Sequence, residues 1–247
     1  MSTVSLIIGA SGAVGTATAR RLAAAGQRVH LAGRDPEALA PIASEVGAAG
    51  VHTVDARDIA AVKAVVDAVA DAEGRLDAAT NLAGSILLKP AHLTTPEEWD
   101  ETLATNLTSA FALLRAAAPR MRETGGAIVL AASAAAQTGL ANHEAIAAAK
   151  GGIIAMVRSA AATYGANGVR VNAVAPGLVR ARMTARLVDN EAQAEASRRM
   201  HALGRLGEPD DVASLVAWLM DPGTTWVTGQ TIGVDGGLGQ VHPRPRG

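Results

Sequence analysis

Apolar residues along the 247-residue chain follow two alternating patterns. Short unbroken apolar runs predict buried strands at 4–8, 28–32, 51–54, 76–82, 126–131, 169–174 and 231–234. Between them, helical spacing covers 13–25, 36–46, 59–72, 96–119, 142–164, 184–201 and 209–219. Gly26 stops the first helix, while Pro36 and Pro96 sit in the first turns of two others. The 184–201 helix is polar and mixed in charge. Strands that read as continuous apolar runs, alternating with helices, predict a parallel sheet covered on both faces. The fold class is therefore α/β, a three-layer α/β/α sandwich with seven parallel strands. No linker or change of composition divides it, so 1–240 is read as a single domain and 241–247, with two prolines and two arginines, as a loose tail.

Composition narrows the function. With 49% hydrophobic and 18% charged residues and a net charge of −1, the chain has neither a nucleic-acid binder's basic footprint nor a disordered segment's polarity. Aromatics are only 2%, which removes base-stacking platforms, and the absence of cysteine removes disulfides and thiolate chemistry. The N-terminus has no basic region before its apolar run, and the apolar run 151–157 is bracketed by Lys150 and Arg158. A cytoplasmic protein with no membrane or nucleic-acid partner is expected. The six histidines, at 30, 52, 92, 143, 201 and 242, show no ligand spacing with carboxylates, so no metal is expected.

The first strand runs into Gly9-Ala10-Ser11-Gly12-Ala13-Val14-Gly15 and then at once into a helix. Glycines in such a turn let the backbone approach a pyrophosphate, which the helix N-terminus favours. The second strand ends at Gly33-Arg34, where an acid would take a ribose 2′-hydroxyl and an arginine a 2′-phosphate. Arg34 favours NADP(H) over NAD(H), although a solvated loop charge blunted by Asp35 explains it too.

With Asn81-Leu82-Ala83-Gly84, Asn106, Ser133, Lys150, the run from Arg170 to Gly177 and Val234-Asp235-Gly236-Gly237, the chain resembles the short-chain dehydrogenase/reductase family over almost its whole length. The resemblance implies a Rossmann-type domain and hydride transfer between a nicotinamide cofactor and a small-molecule substrate. It implies that Asp55 meets the adenine, Asn81, Ala83 and Gly84 the ribose side, and Pro176, Gly177 and Val179 the nicotinamide. It also implies a substrate-covering segment at 184–207 and a homo-oligomer, tetramer or dimer, built by the 96–119 and 142–164 helices. The three-residue glycine spacing belongs more to the family's extended members, and Ala181 stands where many members have threonine.

In that family a tyrosine exchanges the proton, four residues before a lysine and thirteen after a serine, while an asparagine in the preceding helix holds a relay water. Ser133 plus thirteen and Lys150 minus four both give Ile146, which has no proton to exchange. The only tyrosine, Tyr164, lies fourteen residues beyond Lys150. Three readings follow. His143 supplies the proton, at the seven-residue spacing to the lysine that enoyl reductases use for their tyrosine, or it is only a helix-start histidine. Alternatively, water or substrate carries the proton while Ser133 and Lys150 supply electrostatics. In the third, the protein is a catalytically silent dinucleotide binder, a redox sensor or non-catalytic subunit. Ser133 could instead satisfy a strand end, and Asn106 could instead bend its helix. Arg186, Arg198, Arg199, His201 and Arg205 make either a basic lid or an ordinary mixed-charge surface.

Overall fold

The computed structural model describes residues 2–241. The tail expected at 241–247 falls, apart from Val241, outside the described residues. Seven strands form one parallel sheet: β1 (Val4–Ile8), β2 (Arg28–Gly33), β3 (Gly50–Thr53), β4 (Ala78–Asn81), β5 (Gly126–Ala131), β6 (Val169–Pro176) and β7 (Thr231–Val234), in the order β3-β2-β1-β4-β5-β6-β7. Successive pairs stay in parallel register, as with Ile8↔Ala32 and Ile8↔Asn81 on the two sides of β1. The strand order reverses between β1 and β4. A crevice therefore opens at their carboxyl ends, where open α/β sheets take ligands.

Each face of the sheet carries its own apolar layer. On one side Leu6, Ile8, Ile128 and Val171 meet α3 (Ile59–Glu73), α5 (Ser109–Arg120) and α6 (Glu144–Tyr164) through Val62, Val66, Leu113, Ile153 and Val157. On the other, Ile7, Leu31, Val129 and Val174 meet α1 (Ala13–Ala24), α2 (Pro36–Val46) and α9 (Pro209–Met220) through Leu22, Leu39, Val212, Val216 and Leu219. Because both faces are covered, the central strands are apolar at most positions rather than only at alternate ones. The span Glu144–Asn167 has the length and hydropathy (1.3) of a membrane-crossing helix. Here Ile153 and Val157 instead pack under the sheet.

Three expected helices change shape. The 96–119 helix divides into α4 (Pro96–Leu103) and α5, separated by a π-helical turn at Ala104–Thr108. Asn106 causes it: its Nδ2 donates to the Thr102 carbonyl at 3.0 Å, the acceptor an α-helix would give to the Asn106 backbone N–H. The expected polar helix 184–201 breaks at Asp189-Asn190 into α7 (Ala185–Val188) and α8 (Glu191–Met200), because Asn190 caps α8 by accepting from Gln193 N at 3.1 Å. The expected 142–164 helix starts two residues late, as Asn142 takes a left-handed φ of 63°.

Candidate active site

The glycine-rich turn is shaped by close contacts. A Cβ on Gly15 would lie 2.2 Å from the Gly9 carbonyl oxygen, and one on Gly9, at φ 79°, would lie 2.5 Å from Ala83 N. Gly9 and Gly15 are thus required by packing between β1, α1 and the loop after β4. Gly12 is not, since a Cβ there would meet only the Gly9 oxygen at 3.3 Å. Gly12 also leaves α1 without a side-chain cap, whereas Asp35, Asp58 and Thr95 cap α2, α3 and α4. The open first-turn amides, including those of Val14 and Gly15, suit a phosphate, with Ser11 lying beside Gly33 of β2.

Asp35 accepts from Glu37 N and Ala38 N at 3.0 and 3.2 Å, so it serves α2 rather than neutralising Arg34. Arg34 is exposed, makes no ion pair among the described residues, and lies close enough to Asp55 to favour that carboxylate's charge. Arg57 acts on Asp55 more strongly, binding it through Nη2 at 2.6 Å and holding its carboxyl down at about 2. The same guanidinium reaches Glu101 at 2.9 Å, forming an Asp55–Arg57–Glu101 chain that sequence reading missed. Asn81 is buried and turns its Oδ1 to Ala83 N at 3.0 Å, which sets the path of the loop that carries Gly84.

The lysine end is built on the π turn. Asn106, 1% exposed, donates from Nδ2 to the Ser85 hydroxyl at 3.0 Å and accepts from Ser85 N at 3.2 Å. A Cβ on Gly84 would meet Asn106 Oδ1 at 3.1 Å and Lys150 Nζ at 3.8 Å. α6 can approach because Gly152 faces Leu107, where a Cβ would lie 3.0 Å from two of its carbons. Lys150, 7% exposed, donates from Nζ to the Ala131 carbonyl at 2.8 Å and has no carboxylate partner among the described residues. Burial lowers its pKa to about 8. Ser133 lies two residues beyond that carbonyl, its Oγ accepting from Ala135 N at 3.2 Å at the start of a short turn. The strand-end role is thus present in the structure, while its hydroxyl proton has no acceptor among the described residues.

Ile146 is 5% exposed in this segment. His143 precedes α6 rather than riding on it, with φ −112° and ψ 14°, because Asn142 turns the chain just before. The helix expected from 142 would hold His143 within it; His143 is instead its N-cap, partly exposed. Its Nδ1 lies 2.7 Å from the Ala141 carbonyl, which can only accept, so the proton sits on Nδ1 and Nε2 is bare in the neutral ring.

Pro176, Gly177 and Val179 continue from β6. Gly177 N donates to the Val234 carbonyl at 3.2 Å, and Val179 forms a bridge with Gly207. Thr184, three residues past Ala181, donates its buried hydroxyl to the Val179 carbonyl at 2.5 Å and accepts from Ala181 N at 3.1 Å. Of the two readings of the 184–207 arginines, the ion pairs of most of them favour the ordinary mixed-charge surface. Arg198 pairs with Glu191 and Glu195, Arg199 with Glu195, and Arg205 with Asp211. Elsewhere, His30 Nε2 meets Glu73 at 3.0 Å and His30 Nδ1 meets His52 Nε2 at 3.1 Å, with Arg28 on the same carboxylate. His30 therefore has both nitrogens engaged, a grouping the linear spacing hid.

A family model described as enoyl-(acyl carrier protein) reductase matches residues 9–239. The chain is 34% identical over 239 residues to D-threitol dehydrogenase of Mycolicibacterium smegmatis, covering 95% of this chain and 92% of that protein. It is 36% identical over 227 residues to an inactive 2-(S)-hydroxypropyl-CoM dehydrogenase of Xanthobacter autotrophicus, covering 89% and 98%. Its fold superposes on that of actinorhodin polyketide ketoreductase with NADPH, with a TM-score of 0.90 and 29% identity over 97% of this chain and 98% of that one. The matched span includes both the glycine-rich turn and the Asn106–Lys150 cluster, and the chain belongs to the short-chain dehydrogenase/reductase family as an NAD(P)-dependent oxidoreductase.

Proposed function

We propose that the protein transfers hydride between NADP(H) and a small carbonyl, alcohol or conjugated enoyl substrate, with a proton carrier other than tyrosine. Lys150 carries the reading: an ammonium buried without a carboxylate is costly unless a ligand completes its shell. The nucleotide supplies the hydride or its acceptor. Gly9, Ser11, Gly12, Val14 and Gly15 take the pyrophosphate, Arg34 the 2′-phosphate, Asp55 the adenine, and Asn81, Ala83 and Gly84 the ribose side. Pro176, Gly177 and Val179 hold the nicotinamide. Lys150 donates to the ribose and lends positive charge to the site. Ser133 donates to the substrate oxygen, and Asn106 fixes the loop around Ser85 beside Lys150.

His143 is the proton carrier in this proposal. With the proton held on Nδ1 by Ala141, its bare Nε2 accepts from an alcohol during oxidation and returns the proton during reduction. His143→Ala is expected to lower kcat about 100-fold while cofactor affinity changes little. Equal losses in both, or none, would remove His143 from the mechanism and leave water or substrate as the carrier. Arg34→Ala is expected to weaken NADPH roughly 10- to 100-fold and leave NADH unchanged. An equal effect on both would remove the NADP(H) preference.

A second reading is favoured by Ile146 and by the inactive relative: a dinucleotide binder without turnover. Oxidation of NADPH across a panel of ketones, enals and acyl thioesters decides between them. Tight cofactor binding with no turnover on any of these would establish the silent binder. We further propose a cytoplasmic homo-oligomer, in which Trp99 and Phe111, 40% and 45% exposed on α4 and α5, meet a second copy.

A further inference from the structure

One imidazole ties α8 to the loop after β6. His201 follows the last residue of α8 and is 3% exposed. Its Nδ1 lies 2.6 Å from the Ser197 carbonyl and its Nε2 lies 3.3 Å from Leu178 N. The carbonyl can only accept, so Nδ1 carries the proton. The amide can only donate, so Nε2 must be bare. Only the neutral ring with its proton on Nδ1 satisfies both neighbours. Backbone is pressed directly against it, since a Cβ on Gly177 would lie 2.6 Å from Nε2.

A cavity of about 440 Å³ adjoins the ring, lined by Leu203, Arg205, Asp211 and Asp235 among others. Neither Asn106, Ser133 nor Lys150 lines it, so it is the back of the loop and not the reaction chamber. The charged groups around it are mostly engaged. Asp235, at the end of β7, accepts from Gly237 N and Gly239 N at 2.9 and 2.8 Å, and Arg205 is paired with Asp211 at the start of α9 at 2.7 and 2.9 Å. On α8 itself, Arg198 and Arg199 are held by Glu191 and Glu195.

We propose that His201 is a positioning residue that holds the loop 176–179 in place, and that a second proton on its Nε2 releases that loop. Nε2 takes the proton from solvent, and the Leu178 N–H then faces another donor across the same gap. The ring has the cavity to turn into, with Asp211 and Asp235 on its walls. The proposal rests on the reading of 176–179 as the nicotinamide-holding loop only for its effect on cofactor, not for the movement itself.

Hydrogen exchange of the Leu178 amide in the free protein tests the movement, read against the titration of the His201 ring signals by NMR. After correction for intrinsic exchange rates, protection is expected to fall roughly tenfold as the ring takes up its proton. His201→Gln, whose amide oxygen can still accept from Leu178 N, is expected to keep its protection over the same range. NADPH affinity should follow the same curve in the wild-type protein and lose that acid limb in His201→Gln. An unchanged acid limb in the variant, or no loss of Leu178 protection in the wild type, overturns the proposal. Should His201→Gln not fold, loss of protection at a pH displaced from the ring titration overturns it equally well. If NADPH does not bind at any pH, the functional reading fails, while the exchange measurement still decides the role of His201.

Discussion

Replacing Lys150 by methionine is expected to remove turnover and at the same time to raise the unfolding midpoint. The preorganised positive charge that Lys150 lends to the site is worth about 3 kcal/mol, so kcat should fall by about 100- to 1,000-fold. Stability moves the other way. Burial holds the ammonium at a pKa of about 8 against an ordinary 10.5, a cost to the native state of about 3 kcal/mol. The sign follows from proton counting: between pH 8 and 10.5 the unfolded chain binds more protons than the native one, so native stability rises with pH across that window. Below pH 8 the whole cost is present. Methionine fills the same volume without the charge and leaves the Ala131 carbonyl unbonded at a cost of about 1 kcal/mol. The net gain should therefore approach ~2 kcal/mol at neutral pH and vanish in strong alkali. Calorimetry of the two proteins at pH 7 and pH 11 would check it. A destabilised variant at pH 7 would mean that Lys150 is not the strained group its burial indicates.

Gly15→Ala is expected to have the largest effect on folding, and comparison with Gly12→Ala separates packing from ligand recognition. The new methyl on Gly15 would lie 2.2 Å from the Gly9 oxygen and 2.8 Å from Ala10 Cα, both backbone atoms that cannot rotate away. Overpacking of this kind costs about 1–3 kcal/mol or more, and the displaced turn should bind no cofactor. On Gly12 the methyl meets only one oxygen, at 3.3 Å. That variant should melt close to the wild type and still lose cofactor affinity by roughly tenfold or more, because in the proposed site its methyl would take the place of a phosphate oxygen. Thermal melts with fluorescence titration of NADPH read both effects. Full cofactor affinity in Gly12→Ala would sink the assignment of the turn to the pyrophosphate.

Most of the fold was legible in the chain because the local signals were strong and agreed with one another. Unbroken apolar runs, glycine stops and first-turn prolines set β1, α2 and β5 at their observed limits. What was not legible depends on single side chains acting on backbone. The apolar period runs through 96–119 without a fault, and nothing in it announces that Asn106 will take the Thr102 carbonyl for itself. Asn190 could have been read as a cap between α7 and α8, but continuous polarity hid the break. His201 looked like one more cation among arginines, and only burial distinguishes it from them. Asp35 looked like a rival to Arg34, although a residue just before Pro36 at a helix start is an ordinary cap. The candidate site was legible as a set of positions. Its bonding was not, since Ser85 meets Asn106 and Arg57 meets Glu101 across long stretches of chain.

The π turn also governs how the chain can tolerate changes in length. A π turn holds one more residue than the α-helix it interrupts, so α5 leaves it rotated by about 100° from where a continuous helix would have carried it. Deleting one residue from Ala104–Thr108 would restore an unbroken helix and yet misdirect everything downstream. Either Leu113 would leave the layer it shares with Val66, or Asn106 would swing off Ser85. The segment is thus a fixed frame between core and site, in which a point substitution is milder than a clean deletion.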